Sequence, residues 1–191
     1  KDRLDGQGAL YIIQVGDNPA SNKYVGGKIK DCKDVGVKAV LHKFSEETTT
    51  AELCYLIRTL VRHNGWVGCA DGIIVQLPLP KHIDETAVIH AISPRKDVDG
   101  FLPENLGSLL IGEQAFEPCT PKGCIELIKE SGIDIAGKKA VVVGRSNIVG
   151  KPVAMMLLRE NATVTICHSK TKNLKEELLQ ADIIVAAIGK A

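Results

Sequence analysis

Three side chains at helical spacing are suited to proton transfer: Ser21, Tyr24 and Lys28. Residues three and four positions apart share one side of an α-helix, and Cys32 extends the same stripe. A hydroxyl, a phenol and an amine held together can accept and deliver protons during a reaction. The alternative is a solvated face of lysines, because most lysine side chains are exposed. The spacing therefore predicts either an acid–base site or an exposed lysine face.

The same predicted helix contains Gly26-Gly27. Each glycine costs a helix interior about 1 kcal/mol relative to alanine. We expect this cost to reflect the close approach of another backbone or of a ligand, or a local kink.

Polar residues follow the apolar run at Gly72–Val75. Gln76 stands at its carboxyl end, where open α/β sheets bind ligands, and its amide can donate and accept hydrogen bonds. The alternative is a glutamine that only caps a turn. Farther on, Asp97 and Asp99 precede a glycine. This pair is consistent with simple turn chemistry, with an incomplete calcium-like ligand set, or with a carboxylate that binds the N–H groups of a heterocycle.

A strand–glycine–helix segment lies in the second half of the chain. The strand 140–143 precedes Gly144, and a helix is predicted from Pro152. Such a turn directs backbone N–H groups and the positive end of a helix at one point, which suits a phosphate. An ordinary turn is the alternative, because Gly144 and Gly150 do not follow the G-x-G-x-x-G spacing.

The residues expected to contact the ribose of the cofactor favour NADP over NAD. The strand 163–167 is followed by His168-Ser169-Lys170, without the acidic residue that binds the ribose hydroxyl of NAD. Arg145 directly follows the turn glycine, and a guanidinium suits a 2′-phosphate. The alternative is that these cations are solvated loop charges.

Strands and helices alternate along the predicted chain, which indicates an α/β fold with parallel sheets. The predicted strands are 9–15, 37–44, 72–76, 139–143, 163–167 and 182–188. The predicted helices are 19–35, 85–92, 124–131, 152–160 and 173–180. A further helix, capped by a Thr or Ser of the polar segment 45–50, is predicted to run to about residue 62.

Two α/β domains are predicted, 1–117 and 118–191, because turn-rich junctions lie at 93–101 and 116–123. The second is expected to be a Rossmann-like, doubly wound parallel sheet. Three strands are too few for such a sheet, so we expect this domain to be truncated at its C-terminal end.

Composition excludes several classes of protein. The net charge of +1 provides no general attraction for nucleic acid or for a membrane surface. No apolar run approaches the roughly 20 residues of a membrane span, and the first residues do not resemble a signal peptide. Six cysteines without C-x-x-C spacing predict reduced thiols and no metal site. A cytoplasmic protein is expected, with an organelle as the alternative.

Six motifs occur in order along nearly the whole chain. They are Ser21-Asn-Lys-Tyr24-Val-Gly-Gly-Lys28, Gly72-Ile-Ile-Val-Gln76-Leu-Pro-Leu-Pro, Lys96-Asp-Val-Asp99-Gly, Pro118-Cys-Thr-Pro-Lys-Gly123, Val143-Gly-Arg-Ser-Asn-Ile-Val-Gly-Lys-Pro152 and Cys167-His-Ser-Lys-Thr171. Together they closely resemble the bifunctional methylenetetrahydrofolate dehydrogenase/methenyltetrahydrofolate cyclohydrolase family.

This resemblance implies two α/β domains with a folate cleft, in a homodimer. It implies NADP-dependent oxidation of 5,10-methylenetetrahydrofolate and hydrolysis of the methenyl product to 10-formyltetrahydrofolate, within one-carbon metabolism and purine biosynthesis. Lys28 would be the central catalytic residue and Tyr24 would position the substrate. Gln76 would hydrogen-bond Lys28, Asp99 would hold the pterin, and Ser21 would lie beside Tyr24 and Lys28.

The resemblance also implies a set of cofactor-binding residues. Arg145 and Ser169 would take the 2′-phosphate of NADP. The remaining members of this set are Gly144, Ser146, Ile148, Gly150 and His168.

Two other functions are alternatives to this one. The first is a related NADP oxidoreductase such as a shikimate dehydrogenase-like protein, which the position of Lys28 one turn after Tyr24 and the Gln76 motif disfavour. The second is a non-catalytic nucleotide-binding module, which an assay of turnover would distinguish.

Overall fold

The computed structural model describes residues 8–62 and 70–189. Within these ranges the chain forms six strands and seven helices. They fall into two compact units, Lys1–Val98 and Asp99–Ala191. Every pairing between the named strands is parallel, so the predicted α/β class is confirmed.

The first unit contains a three-stranded sheet. Its elements in chain order are β1 (Ala9–Val15), α1 (Pro19–Val35), β2 (Lys38–Phe44), α2 (Thr50–Arg62), β3 (Gly72–Val75) and α3 (Glu85–His90). The strand order is β2-β1-β3. The middle strand is the most apolar, and Ile12 and Ile13 are fully buried together with Leu53 and Ile57 of α2. Burial on both faces explains why β1 is apolar at every position except Gln14.

The second unit repeats this arrangement after two additional helices. Its elements are α4 (Pro103–Ile111), α5 (Cys119–Glu130), β4 (Lys139–Val143), α6 (Gly150–Arg159), β5 (Thr163–Cys167), α7 (Leu174–Leu179) and β6 (Ile183–Ala186). The strand order is β5-β4-β6, again with the first strand in the middle. Its core packs Val153 and Leu157 of α6 against Ala140 and Val142 of β4.

The two sheets share a detail at their amino ends. An aspartate directly before the third strand accepts the N–H of the residue that opens the middle strand. Asp71 accepts from Ala9 at 2.7 Å, and Asp182 accepts from Lys139 at 2.8 Å. Each aspartate also donates its own N–H to the carbonyl of the same residue. The two units therefore fix the start of the third strand in the same way.

A carboxylate joins the segment before α5 to the end of α6. Glu117 pairs with Arg159, and it also pairs with Lys122 at 3.1 Å. Burial alone would raise the pKa of Glu117, but hydrogen bonds from Arg159 and Lys122 and their positive charges bring it below its usual value of 4.5.

The helix α4 was not predicted. Its sequence nevertheless carries a Pro103 at the first position and a left-handed Gly112 at its end, which are ordinary helix boundary signals. The helix α5 begins at Cys119, five residues before the predicted start at 124, because Pro121 fits within a first turn that needs no N–H from it. The helix α1 runs without a break through Gly26-Gly27.

The compact units divide between Val98 and Asp99, whereas the sequence placed the domain boundary after residue 117. The segment 99–117, which includes α4, packs with the second unit, where α4 contacts α6. The boundary after residue 117 stays a prediction of where the catalytic part of the chain ends and the cofactor-binding part begins.

Candidate active site and nucleotide site

The helix α1 begins at a well-formed cap. The Asn18 side chain accepts the N–H groups of Ala20 at 2.9 Å and Ser21 at 3.2 Å, and Pro19 occupies the first helical position. Gly36 ends the helix in the left-handed conformation, at φ 80°. These signals fix the phase of α1 and therefore the directions of the side chains on it.

Lys28 and Gln76 are brought together by the first unit. The Lys28 Nζ donates to Gln76 Oε1 at 3.2 Å, across 48 positions of sequence. Gln76 lies directly after β3, where its backbone N–H donates to the carbonyl of Ile13. Its side-chain Nε2 donates to the carbonyl of Leu77 at 2.7 Å. Because that nitrogen is used locally, the amide oxygen is the atom presented to the lysine.

The other side chains of the predicted stripe differ in exposure. Ser21 is buried, Lys28 is half-buried, and Cys32 is buried. Tyr24 is 68% exposed, on the margin of this face, while Val25 fills the buried position beside it. The first unit therefore presents a phenol ring outward within about one helical turn of a lysine whose ammonium group is held in place.

Close packing does not explain Gly26-Gly27 within this unit. A Cβ built on either glycine would meet no described atom within 4 Å. The expected close approach of another backbone is therefore wrong for the described part of the first unit.

Sequence reasoning missed Gln14 and Asn22. Gln14 is 2% exposed in the middle strand, and its Nε2 donates to Asn22 Oδ1 on α1 at 2.6 Å. A polar residue inside an apolar strand was the available signal. Beside them, a hydrogen bond from Lys43, another from Asn22 and the Lys43 charge lower the pKa of Asp17. This polar network joins the end of β1 to the first turns of α1.

The two aspartates near the unit boundary have different environments. Asp97 is 1% exposed and forms an isolated parallel bridge with Ile73 of β3. Asp99 is half-buried and is the first residue of the second unit. Among the described residues, no group of three or more His, Cys, Asp or Glu side chains could hold a metal ion.

The turn after β4 is packed against backbone. At Gly144, with φ 127°, an added Cβ would lie 2.3 Å from the Ala187 carbonyl oxygen. At Gly150 it would lie 2.4 Å from the carbonyl oxygen of Gly144. Only glycine fits at either position without movement of the backbone. Gly144 therefore packs directly on the main chain after β6, and Gly150 of α6 packs directly on the main chain of Gly144.

The first N–H groups of α6 are used inside the turn. Ser146 Oγ accepts from Val149 and Gly150, each at 3.2 Å, and the Ser146 carbonyl accepts from Lys151 at 3.0 Å. Pro152 has no N–H. The sequence had predicted free N–H groups at this helix start, and the described structure differs because the serine hydroxyl caps them.

Around this turn, the side chains named for the cofactor differ in burial. Arg145, Ser146 and Ile148 are exposed. After β5, His168 is half-buried and Ser169 is exposed. The turn glycines 144 and 150 are buried. The second unit thus exposes a guanidinium and hydroxyl groups on two loops that follow adjacent parallel strands.

A β-turn follows β5. The Thr171 N–H donates to the His168 carbonyl at 2.8 Å, and the His168 N–H donates to Thr171 Oγ1 at 2.8 Å. The Lys170 N–H donates to His168 Nδ1 at 3.1 Å. Ser169 and Lys170 are the two central residues of this turn. Thr171 belongs to the last of the six motifs, but its role in closing the turn was not foreseen.

The described cysteines are Cys32, Cys54, Cys119, Cys124 and Cys167, and no disulfide joins any two of them. The sixth, Cys69, lies outside the described residues. No helix among the described segments has both the length and the apolar character of a membrane span.

Comparison with known families assigns the chain. Residues 2–99 match the catalytic domain of tetrahydrofolate dehydrogenase/cyclohydrolase, and residues 118–191 match the NAD(P)-binding domain of the same family. The chain belongs to the tetrahydrofolate dehydrogenase/cyclohydrolase family. This membership confirms the resemblance found in the sequence and sets aside the shikimate dehydrogenase-like alternative.

Relatives of this family member are similar over almost all of its length. The bifunctional protein FolD of Agathobacter rectalis is 55% identical over 184 residues, which are 96% of this chain and 64% of that protein. The bifunctional FolD enzyme of Campylobacter jejuni superposes with a TM-score of 0.89 at 46% identity, over 97% of this chain and 64% of the other.

A third relative carries a ligand. The Trypanosoma brucei methylenetetrahydrofolate dehydrogenase-cyclohydrolase, solved with NADP and an inhibitor, has a TM-score of 0.88 and 36% identity, over 96% of this chain and 62% of that one. The family member described here thus spans less than two thirds of the length of each of these three relatives.

Proposed function

We propose that this chain carries the folate and NADP sites of a bifunctional enzyme. The enzyme oxidises 5,10-methylenetetrahydrofolate to the 5,10-methenyl form and hydrolyses that product to 10-formyltetrahydrofolate. The Lys28–Gln76 hydrogen bond supports this proposal most directly, because it holds an amine at the carboxyl edge of a parallel sheet in a chain of this family. We assign the catalytic part of the chain to 1–117 and the cofactor part to 118–191.

In the oxidation, the methylene carbon loses a hydride and becomes the cationic methenyl carbon. NADP, when bound, accepts that hydride. The folate is oriented by Tyr24, whose exposed ring provides a stacking surface, and by Asp99, whose carboxylate accepts from the pterin N–H groups. The protein contributes chiefly by positioning the reacting carbon, which lowers the entropic part of the barrier.

In the hydrolysis, water adds to the methenyl carbon and loses a proton. The bond from that carbon to N5 then breaks, N5 gains a proton, and the former water hydroxyl loses one to become the formyl oxygen. Lys28 Nζ is the group that accepts and returns protons, while Gln76 Oε1 holds it in place and buried Ser21 lies about two helical turns away on α1. One proton is released in total, which balances the positive charge lost by the substrate.

The residues present fit NADP. The exposed side chains after β4 and β5 include Arg145 and Ser169, a cation and a hydroxyl that match a phosphate. The turn after β5 has no acidic residue. Gly144, Ser146, Ile148 and Gly150 complete the proposed contacts with the cofactor, and His168 belongs to the same turn as Ser169. The NADP of the Trypanosoma brucei relative supports the same choice.

The test is Lys28→Met, with Lys23→Met on an exposed position of the same helix as the matched control. Cyclohydrolase turnover should fall by at least about 100-fold in Lys28→Met, as expected for loss of an acid–base group, and should change less than about twofold in Lys23→Met. A fluorescence assay of folate-analogue binding checks that the site remains intact in both variants. Unchanged hydrolysis in Lys28→Met would remove the lysine from this role, and binding without turnover in the unmodified chain would favour a non-catalytic module.

Further parts of the proposal are assembly and context. We assign the protein to a cytoplasmic homodimer that supplies one-carbon units, including those for purine biosynthesis. Its partners are tetrahydrofolate substrates, with no role for nucleic acid or a membrane. Analytical ultracentrifugation should give twice the mass of one chain.

A further inference from the structure

The β-turn that follows β5 depends on one imidazole nitrogen. His168 Nδ1 accepts the backbone N–H of Lys170 at 3.1 Å, two residues further along the chain. This is the hydrogen bond that an aspartate or asparagine side chain makes in an Asx turn. In a neutral ring, the nitrogen that accepts carries no proton, so the proton of this imidazole lies on Nε2.

Two more hydrogen bonds close the same turn. The Thr171 N–H donates to the His168 carbonyl, and the His168 backbone N–H donates to the Thr171 hydroxyl, each at 2.8 Å. Ser169 lies between these two closing residues and is exposed. The three bonds fix the backbone at Ser169 and therefore the direction of its Cα–Cβ bond.

We infer that His168 is a positioning residue for recognition of the 2′-phosphate of NADP. It acts through its Nδ1 acceptor, which fixes the turn that presents Ser169. The inference rests on the proposed use of NADP. It gives His168, which the resemblance implied among the cofactor-binding residues, a role that needs no contact with the phosphate. A side chain on a fixed backbone loses less conformational freedom when it binds than one on a mobile loop, so fixing the turn raises affinity for the phosphate that Ser169 meets.

The substitution that separates this role from a general structural one is His168→Asn compared with His168→Gln. Asparagine places an oxygen at the position of Nδ1 and can re-form the bond to the Lys170 N–H. Glutamine is one methylene longer and lacks an acceptor at that distance. Both are uncharged amides, so they differ mainly in whether the turn keeps its acceptor.

The probes are 2′,5′-ADP, which carries the 2′-phosphate, and 5′-AMP, which lacks it. Calorimetry gives the two dissociation constants, and the ratio of the 5′-AMP value to the 2′,5′-ADP value measures 2′-phosphate recognition. His168→Gln should lower this ratio roughly tenfold, the usual worth of a hydrogen bond to a charged group. His168→Asn should keep it within about twofold of the unmodified chain.

A double-mutant cycle with Ser169→Ala completes the experiment. Ser169→Ala should lower the ratio in the unmodified chain but should have little further effect in His168→Gln, because the turn no longer presents the hydroxyl. Circular dichroism checks folding, and the ratio is compared between the Asn and Gln variants if both lose stability.

The outcomes distinguish the two proposals. Equal ratios in His168→Asn and His168→Gln, or full additivity with Ser169→Ala, overturn the role of His168 while leaving NADP recognition standing. A ratio near one in the unmodified chain overturns the NADP proposal itself, and the inference falls with it.

Discussion

The two units use one backbone plan and place their functional groups on different parts of it. In each, the first strand becomes the middle of a parallel three-stranded sheet, and an aspartate fixes the start of the third strand. In each, the glycine after the middle strand donates its N–H to the last residue of the second strand, Gly16 to Phe44 and Gly144 to Cys167.

The units differ in the residues that come after that glycine. In the first unit a short turn is capped by Asn18, and the proposed chemistry comes from the face of α1, two to three helical turns away. In the second unit the turn itself is the proposed site, with main chains in close contact and a serine as the cap. The shared backbone plan therefore places the functional groups of both units at the carboxyl edge of the sheet. The turn after the middle strand determines whether those groups lie on the following helix, as in the first unit, or in the turn itself, as in the second.

The largest difference between the units should appear when their turn glycines are replaced. Gly144→Ala should destabilise the second unit by about 3 kcal/mol or more, because its Cβ would meet a backbone carbonyl and its φ is strained for alanine. Gly16→Ala should cost the first unit only about 1–2 kcal/mol, since φ is 78° and the Cβ meets the movable Glu46 side chain.

Amide hydrogen exchange in β1 and β4 measures the two effects separately. Gly26→Ala is the control, because its Cβ meets nothing and its helix should gain roughly 0.5–1 kcal/mol. Equal losses for Gly16→Ala and Gly144→Ala would contradict the contrast between the turns.

The two helix caps should be closer in strength. Asn18→Ala should destabilise the first unit by about 1 kcal/mol, because the N–H groups of Ala20 and Ser21 lose their acceptor. Ser146→Ala should cost the second unit a similar amount through Val149 and Gly150. Urea unfolding gives both values. A Ser146→Ala variant with unchanged stability would show that the serine does not cap α6 in solution.

The smallest effect should come from paired carboxylates, and it should depend on pH. The pKa of Glu117 is lowered in the folded chain, so its pairs stabilise above the unfolded value and that contribution is lost as pH falls through the folded pKa. Glu117→Gln should therefore cost up to about 1 kcal/mol at pH 7, and the difference should vanish well below pH 4.5.

Asp17→Asn is the matched change in the first unit. Its pair with Lys43 is largely exposed, at 78% and 44% of the two side chains, so solvent should screen it and stability should not change measurably. Unfolding curves at a series of pH values test both. A larger pH dependence for Asp17 than for Glu117 would reverse the comparison.

The sequence predicted the strands well because buried parallel strands are largely apolar runs, as in β1 and β4. It missed α4, a short helix with Gly107 in its interior, because an internal glycine weakens the helical pattern between the boundary signals at Pro103 and Gly112. The free-energy cost of glycine inside a helix was also a misleading signal at Gly26. The close contact with another backbone that it led us to expect is absent from the described part of the unit.

The site could be predicted only in part. Helical spacing placed Ser21 and Lys28 on one face, but the contact between Lys28 and Gln76 spans 48 positions and depends on how β3 pairs with β1. It was expected from family resemblance and not from spacing. The Ser146 cap could not be foreseen, because it depends on the path of the backbone between Gly144 and Gly150.

The central position of the first strand in each sheet has a consequence for synthesis. Because β1 and β4 are central yet come first in their units, one edge of an apolar strand stays unpaired in the nascent chain until the later of its two neighbours has left the ribosome. The first sheet cannot close before Gly72–Val75 emerges, and the second cannot close before Ile183–Ala186 does. The interval in which each unit is vulnerable to aggregation or to chaperone capture is therefore set by the length of chain between its middle strand and its last one.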